Sequence, residues 1–427
     1  MDMKTKWRWG VEWAALSIVV VRPSLDALTE AAIPLGPLKF NLAGGVSLGL
    51  MALGVFWFFL LEKNERWRIG AEPLFWITAA WLTVLCLWAF IPVLQHGTSC
   101  LYGVREWLRL LSYLPLFAIL HNAARENRGR RIVAALFISL LIPCLTGFYQ
   151  LLFHEGAIVR GVHRIQGTFV HPNPFSFYLS LMIGLTYWQW RWSERRAAWM
   201  ALMIGEMILL LATFSFTGLA MLGTMGLSIA MGESRQLRRI ALAAGILFLA
   251  VFIATPTGRY RIWEEMGIEN LDEIESTHRM TNSLTWRLLN WRFLYREWAK
   301  SPWVGFGLNS TPKINPMRNA QGVGHDPHND YVRYLAETGA LGLAGFLAWA
   351  IGIGAGLRRL LDAAAAGPAR SLALMAIGVY IAWLVGSLND NLITATAYQY
   401  CLWAIFAAAC GWTQLDSSQT DAPETAP

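Results

Sequence analysis

The sequence predicts an all-α, polytopic membrane protein with about twelve transmembrane helices. Of its 427 residues, 55% are hydrophobic and only 15% are charged, whereas soluble domains carry roughly a quarter charged residues. The 22 Trp and 12 Tyr side chains suit a protein that crosses a bilayer repeatedly, because their amphipathic rings favour the two membrane interfaces. About twelve apolar stretches approach the roughly 20 residues that a spanning helix needs.

The predicted spans follow one another closely except at one place, where about eighty residues separate the ninth from the tenth, far more than an ordinary connection. We therefore expect spans 1–9 within 1–255, a large and partly helical outer loop at 256–335, and spans 10–12 within 336–412. The tail at 413–427 is polar and contains Pro, and we expect it to be disordered. The predicted spans lie near 10–28, 40–61, 73–94, 102–121, 132–153, 173–190, 197–213, 215–231, 239–255, 336–357, 370–388 and 392–412.

The distribution of Lys and Arg predicts the orientation. The residues before the first span and every even-numbered loop are basic, and cytoplasmic loops carry such an excess. Both termini are then cytoplasmic, and the odd-numbered loops, including 154–172 and 256–335, face the periplasm. The clusters are Lys4, Lys6 and Arg8; Lys63, Arg66 and Arg68; Arg125, Arg128, Arg130 and Arg131; Arg191, Arg195 and Arg196; Arg235, Arg238 and Arg239; and Arg358, Arg359 and Arg370.

The composition also argues against several classes of function. The net charge of +7 lies in these short clusters between apolar runs, so a nucleic-acid partner is not expected. The sequence has no Walker loop and no dinucleotide fingerprint, so a nucleotide partner is not expected either. The five Cys have no metal-ligand spacing.

Polar chemistry concentrates in three stretches on the predicted outer side. The first, residues 160–174, contains Arg160 and Arg164 and ends in Pro-Asn-Pro, where we expect Asn173 to cap the next helix. The second, residues 286–307, places Arg287, Asn290 and Trp291 on one helical face. The third runs from His325 to Gly342, from a polar loop directly into an apolar helix.

These three stretches, in this order, resemble the superfamily of O-antigen ligases, O-antigen polymerases and protein O-oligosaccharyltransferases. Its members show Arg-x-x-Gly-Thr-Phe…Pro-Asn, as at 164–173, then an Arg-x-x-x-Trp helix followed by Ser-Pro and Gly-x-Gly, as at 287–307. They also show His-Asn…Glu-Thr-Gly…Gly, as at 328–342. One stretch departs: many relatives have Ser-Arg-Gly where this chain has Ser215-Phe216-Thr217-Gly218. We expect another basic residue to substitute, with Arg105 and Arg109 as candidates.

The resemblance implies a GT-C-like glycosyltransferase in the inner membrane of a Gram-negative bacterium, with its active site on the periplasmic side. The donor would be a glycan on undecaprenyl diphosphate and the acceptor a lipid A–core sugar hydroxyl. Polymerase and protein-glycosylating activities remain open alternatives. The short sequence after the last span modestly favours the ligase, because protein-glycosylating members tend to carry extra soluble sequence there. A lipid-linked glycan transporter or flippase is a further alternative, but the polar residues concentrate at one face rather than at the membrane midplane.

The resemblance also suggests roles for individual residues. The departing diphosphate needs cations, and Arg binds phosphate oxygens bidentately without a metal or other cofactor. We expect Arg164 and Arg287 to do this first. Arg160, Arg292, Trp291, Arg105 and Arg109 complete the candidate binding set.

The acceptor hydroxyl needs a general base, for which a His is suited at neutral pH. His328 is the candidate, with Asn329 orienting it or binding sugar hydroxyls, and Asp390 could complete the site. Structural alternatives remain: the arginines as headgroup contacts, Glu106 as the ion-pair partner of a neighbouring arginine, and Asp390 as a helix cap. A zinc site at His325 and His328 is conceivable but lacks a recognisable third ligand.

Overall fold

The computed structural model describes residues 3–30, 32–35, 38–61, 72–96, 99–159, 161–233, 235–266, 271–272, 275 and 283–420. These residues are mostly helical, which confirms the all-α class. The helices are α1 Met3–Val21, α2 Leu42–Leu60, α3 Pro73–His96, α4 Leu101–Leu111, α5 Tyr113–Ala123, α6 Gly129–Phe153, α7 Pro172–Trp192, α8 Arg196–Ala212, α9 Phe216–Gly232, α10 Arg235–Ala254, α11 Pro256–Met266, α12 Ser283–Trp298, α13 Thr311–Ile314, α14 Asp330–Ala363, α15 Pro368–Gly386 and α16 Thr396–Thr420.

Two small antiparallel hairpins interrupt the helices. One joins β1 Ala32–Leu35 to β2 Leu38–Asn41, and the other joins β3 Ala157–Val159 to β4 Val162–Arg164. Neither hairpin was expected from the sequence. The second hairpin lies within the outer loop expected at 154–172, so it forms part of the surroundings of the candidate site.

Each predicted span overlaps a helix of the structure. Five described stretches are long and apolar enough to cross a membrane by themselves: Leu42–Leu60, Pro73–Gln95, Leu101–Phe153, Asp330–Ala363 and Pro368–Gly386. Leu101–Phe153 is 53 residues long and contains α4, α5 and α6, with non-helical dihedrals at Glu126 and Asn127. The protein is thus a helical protein with several membrane-crossing candidates, and the number twelve stays a prediction.

The centre of the bundle is α16. Residues 396–411 of this helix are all buried, as expected for a helix that is apolar on every side. It packs against α5, α7 and α15. The helix continues to Thr420, beyond the point at residue 413 where we expected disorder to begin, and 421–427 lie outside the described residues.

The basic cluster at the start of α1 lies close to the basic cluster around the start of α6. Arg8 pairs with Glu126 at 2.9 Å, and Arg128 pairs with Glu12 at 2.8 Å, which joins the start of α1 to the start of α6. From there α6 runs to Phe153, and α7 returns from Pro172 to Trp192 over about 30 Å. The loop at 154–171 is therefore at the opposite end from these arginines.

Helix α14 is broken at Gly339, which has φ 67° and ψ −171°. The loop before α13 fills the break: Ala340 N–H donates to Pro302 O at 2.8 Å, and the Phe306 and Gly307 N–H groups donate to Glu337 O at 3.1 and 2.8 Å. This is the Glu-Thr-Gly part of the motif. The break separates a short polar segment, which begins at Asp330, from the apolar remainder of the helix.

Candidate active site

A cavity of about 450 Å³ lies where the β3–β4 hairpin meets the starts of α7, α9, α12 and α14. All three motif stretches contribute to its lining, although they are far apart in sequence. The lining residues are Val159, Arg164, His171, Asn173, Ser215, Phe216, Thr217, Ser283, Leu284, Trp286, Arg287, His328 and Asn389.

His328 is held in the cavity wall by the backbone around it. Its φ of 49° lies in the left-handed region, which non-glycine residues rarely adopt. Asn290 Nδ2 donates to Asp326 O at 2.8 Å, and Trp291 Nε1 donates to Pro327 O at 2.6 Å. The predicted face of α12 thus binds the two carbonyls that directly precede His328.

Asn329, the next residue, is the N-cap of α14. Its Oδ1 accepts from Val332 N–H at 3.0 Å, and its Nδ2 donates to Leu388 O at 2.8 Å. The side chain is buried and does not line the cavity. Of the two roles suggested for Asn329, these contacts favour positioning of His328 over sugar binding.

The Nδ1 atom of His328 lies 3.1 Å from Asp390 Oδ1. Asp390 is itself positioned by Asn391 N–H, which donates to the same oxygen at 2.8 Å. Burial lowers the pKa of His328, but the charge and hydrogen bond of Asp390 outweigh it, so the pKa lies above its ordinary value. Burial raises the pKa of Asp390, and His328 more than reverses this effect, so that pKa lies below its ordinary value.

This pairing fixes what His328 can do chemically. A carboxylate accepts hydrogen bonds only, so Nδ1 carries the proton and Nε2 is left as the basic nitrogen. An imidazole in this state can take a proton from a hydroxyl at Nε2.

Arg164 and Arg287 both line the cavity and are largely buried. Arg164 Nε donates to Thr213 O at 2.6 Å and its Nη2 donates to Asn173 Oδ1 at 2.9 Å. Arg287 Nη1 donates to Ser283 Oγ at 2.9 Å. The two guanidinium groups therefore bring positive charge to the wall that also contains His328.

His171 also lines the cavity and was not predicted as a site residue from the sequence. It is the N-cap of α7, and its Nδ1 accepts from Asn173 N–H at 3.3 Å. The expectation that Asn173 caps this helix was therefore wrong, because the cap lies two residues earlier. Burial, reinforced by Arg164, lowers the pKa of His171 to about 4. The ring is therefore neutral at pH 7, with Nε2–H as a donor. A His two residues before Asn in a Pro-Asn-Pro helix start was the available signal.

Phe216, in the stretch that departs from the expected Ser-Arg-Gly pattern, lines the cavity. Its ring packs against Phe252, with centroids 5.4 Å apart. The candidates for a substitute cation, Arg105 and Arg109, are not among the cavity's lining residues. Within the described lining, the cationic side chains are Arg164 and Arg287.

Arg109 belongs to a buried ion network instead. Glu106 lies 3.1 Å from Arg109 and 3.3 Å from Arg333, and Arg333 also pairs with Glu337 at 3.2 Å. This confirms the structural alternative for Glu106. The network joins α4 to the first turns of α14, the helix that begins just after His328.

The remaining predicted residues lie elsewhere. Trp291 and Arg292 line a separate, largely apolar cavity of about 430 Å³ between α12 and α14. Arg292 also pairs with Asp272 at 2.6 Å. Arg160 lies outside the described residues.

A comparison with known protein families supports the resemblance found in the sequence. The family model described as O-antigen ligase matches residues 201–347. That stretch includes Arg287, His328 and Gly339, but begins after Arg164 and ends before Asp390. No curated protein matches the chain. The match across residues 201–347 supports the resemblance of this chain to the O-antigen ligase superfamily.

Proposed function

We propose that the protein is an O-antigen ligase, which transfers O-polysaccharide from undecaprenyl diphosphate to a lipid A–core sugar hydroxyl on the periplasmic side of the inner membrane. One observation carries the proposal: His328, whose Nδ1 pairs with Asp390, lines the same cavity as Arg164 and Arg287. A base and a phosphate-binding group within one cavity are the two requirements of this transfer.

The arginines act on the donor. As the bond between the anomeric carbon and the diphosphate oxygen breaks, negative charge grows on the leaving diphosphate. Arg164 and Arg287 stabilise that charge through charge-assisted hydrogen bonds. The neutral His171 adds an uncharged N–H donor beside them. In this mechanism the guanidinium groups do the work that a divalent cation does elsewhere.

His328 acts on the acceptor. Its Nε2 removes the proton from the sugar hydroxyl while the oxygen attacks the anomeric carbon, and Asp390 stabilises the imidazolium that forms. Attack from the side opposite the diphosphate inverts the anomeric centre. An NMR assignment showing retention of configuration would refute this step.

The test is ligation with purified components. Wild-type protein receives an undecaprenyl-diphosphate glycan and rough lipopolysaccharide in excess EDTA. We expect capped lipopolysaccharide, and we expect His328→Ala to lower the rate by about 10²- to 10⁴-fold, the usual contribution of a general base.

His325→Ala is the matched control, because His325 lies in the same loop and contacts Trp286 but does not line the cavity. We expect this variant to retain most of the activity. Longer lipid-linked glycan without capped product would make the protein a polymerase. Full ligation by His328→Ala would exclude the mechanism, and loss of activity in EDTA that added Mg²⁺ restores would exclude its metal-independent form.

A further inference from the structure

A second cavity, of about 600 Å³, lies at the other end of the bundle. Helix α7 connects the two sites: Asn173 near its start lines the first cavity, and Gln189 and Trp192 near its end line the second. The intervening residues span about 25–30 Å, close to the thickness of the hydrocarbon core. The second cavity, which we call the indole groove, therefore lies at the opposite membrane surface.

The walls of the indole groove are mainly aromatic. Four Trp rings contribute: Trp188 and Trp192 of α7, Trp199 of α8 and Trp412 of α16. Their packing fixes the walls, since the Trp188 and Trp412 ring centroids are 5.7 Å apart and Trp199 lies 4.6 Å from Phe137.

Two of these indoles donate their only N–H group to other residues of the protein. Trp188 Nε1 donates to Pro368 O at 3.0 Å, and Trp199 Nε1 donates to Ser193 Oγ at 3.1 Å. Both rings therefore offer the groove apolar faces only. The groove continues along Ala134 and Ile138 of α6, and Ile138 is 57% exposed on the outside of the bundle. The groove is thus open at the lateral surface of the helical bundle.

Two polar side chains, Arg130 and Gln189, enter the same groove. Neither has a hydrogen-bond or ion-pair partner among the residues that the structure describes. The adjoining end of α7 and start of α8 add Arg191, Arg195 and Arg196 against one acid, Glu194. A guanidinium and an amide beside apolar faces, in a region of net positive charge, form a site for a molecule with an anionic head and a hydrocarbon tail.

We propose that the indole groove binds one anionic glycerophospholipid. The Arg130 guanidinium and the Gln189 amide hold the phosphodiester, and an acyl chain covers the indole faces and runs out past Ile138 into the bilayer. A lipid with a cationic headgroup fits less well, because its ammonium would meet the neighbouring arginines. The site is about 25–30 Å from the active-site cavity, so it is separate from donor and acceptor binding.

Native mass spectrometry of the full-length protein, released from detergent micelles, tests this. Phosphatidylglycerol and phosphatidylcholine of equal chain length are titrated separately. We expect one phosphatidylglycerol to bind in preference to phosphatidylcholine. Arg130→Gln should weaken that binding about tenfold, as loss of a hydrogen bond to a charged group does.

Arg359→Gln is the matched control, because it removes the same charge. Arg359 is exposed near the end of α14 and does not line the groove. This variant should leave binding unchanged. Ala134→Trp fills the groove without changing the charge, and it should abolish the binding of phosphatidylglycerol. Equal binding of the two lipids, equal effects of the two arginine variants, or displacement by millimolar inorganic phosphate would each overturn the proposal.

Discussion

At the scale of single residues, the candidate site depends on one contact between distant positions. His328 and Asp390 are 62 residues apart in sequence and 3.1 Å apart in space. The carboxylate does two things to the imidazole: it fixes the proton on Nδ1, and it raises the pKa above the ordinary value in spite of burial. A raised pKa means that His328 becomes an effective base only as the pH rises through that value.

Asp390→Asn should therefore change the pH profile in a defined direction. Without the carboxylate, burial dominates and the pKa of His328 falls, so the acidic limb of the ligation rate moves to lower pH. The maximal rate should fall roughly tenfold or more, because the imidazolium loses its counter-charge. The pH dependence of kcat checks this. A lower maximal rate with an unmoved acidic limb would mean that Asp390 only caps the last helix.

Arg287 is the better arginine to test, because Arg164 also binds Thr213 O and Asn173 and its loss would disturb the fold. We expect Arg287→Gln to lower kcat/KM for the lipid-linked donor by about 10- to 100-fold, the range for hydrogen bonds to charged groups. Arg296→Gln on the same helix is the control, since Arg296 pairs with Glu275 at the surface. Unchanged donor kinetics in Arg287→Gln would remove Arg287 from the diphosphate site.

At the scale of elements, the helices and several local contacts could be predicted from sequence, since they depend on nearby residues. The i,i+4 pair of Arg22 and Asp26 is an example, and the structure confirms it at 2.9 Å. Contacts between distant elements could not be predicted, because nothing local specifies them. Arg333 reaches Glu106 across 227 residues, and only the packing of α3 against both α4 and α14 makes that partner available.

The break in α14 shows why the motif contains a glycine. At Gly339, a Cβ atom would collide with the backbone of Trp303, and the φ of 67° is one that side chains rarely adopt. Gly339→Ala should cost about 1–3 kcal/mol of stability, and it should also displace His328, because Glu337 and Asn329 lie on the same short segment.

Thermal unfolding in detergent, together with the ligation rate, measures both effects of Gly339→Ala. Gly345→Ala is the control, because Gly345 lies in the continuous part of α14 and a Cβ there meets nothing within 4 Å. That variant should be as stable as wild type or slightly more so, since Ala favours helix. If the two variants melt alike, the break at Gly339 is not required.

At the scale of the whole molecule, the arginine clusters outside the site and the candidate active site lie at opposite ends of the bundle. The arginine-rich ends of α6 and α7 are at one end of the bundle, and the candidate active site is at the other. Cytoplasmic segments of membrane proteins carry the excess of Lys and Arg, so the cavity should open to the periplasm. The proposed donor, a glycan carried by a lipid in the outer leaflet of the inner membrane, requires this orientation.

Labelling with a membrane-impermeant maleimide tests that orientation in a variant without the five native cysteines. Ile158, on β3 beside the cavity, is 78% exposed, and Glu194 is exposed in the α7–α8 loop. With the outer membrane opened, Ile158→Cys should react in intact inner membranes, and Glu194→Cys should react only after the inner membrane is permeabilised. The variants must first be shown to retain ligation. The reverse pattern would place the cavity in the cytoplasm, where the proposed donor and acceptor are not presented, and the ligase assignment would fail with it.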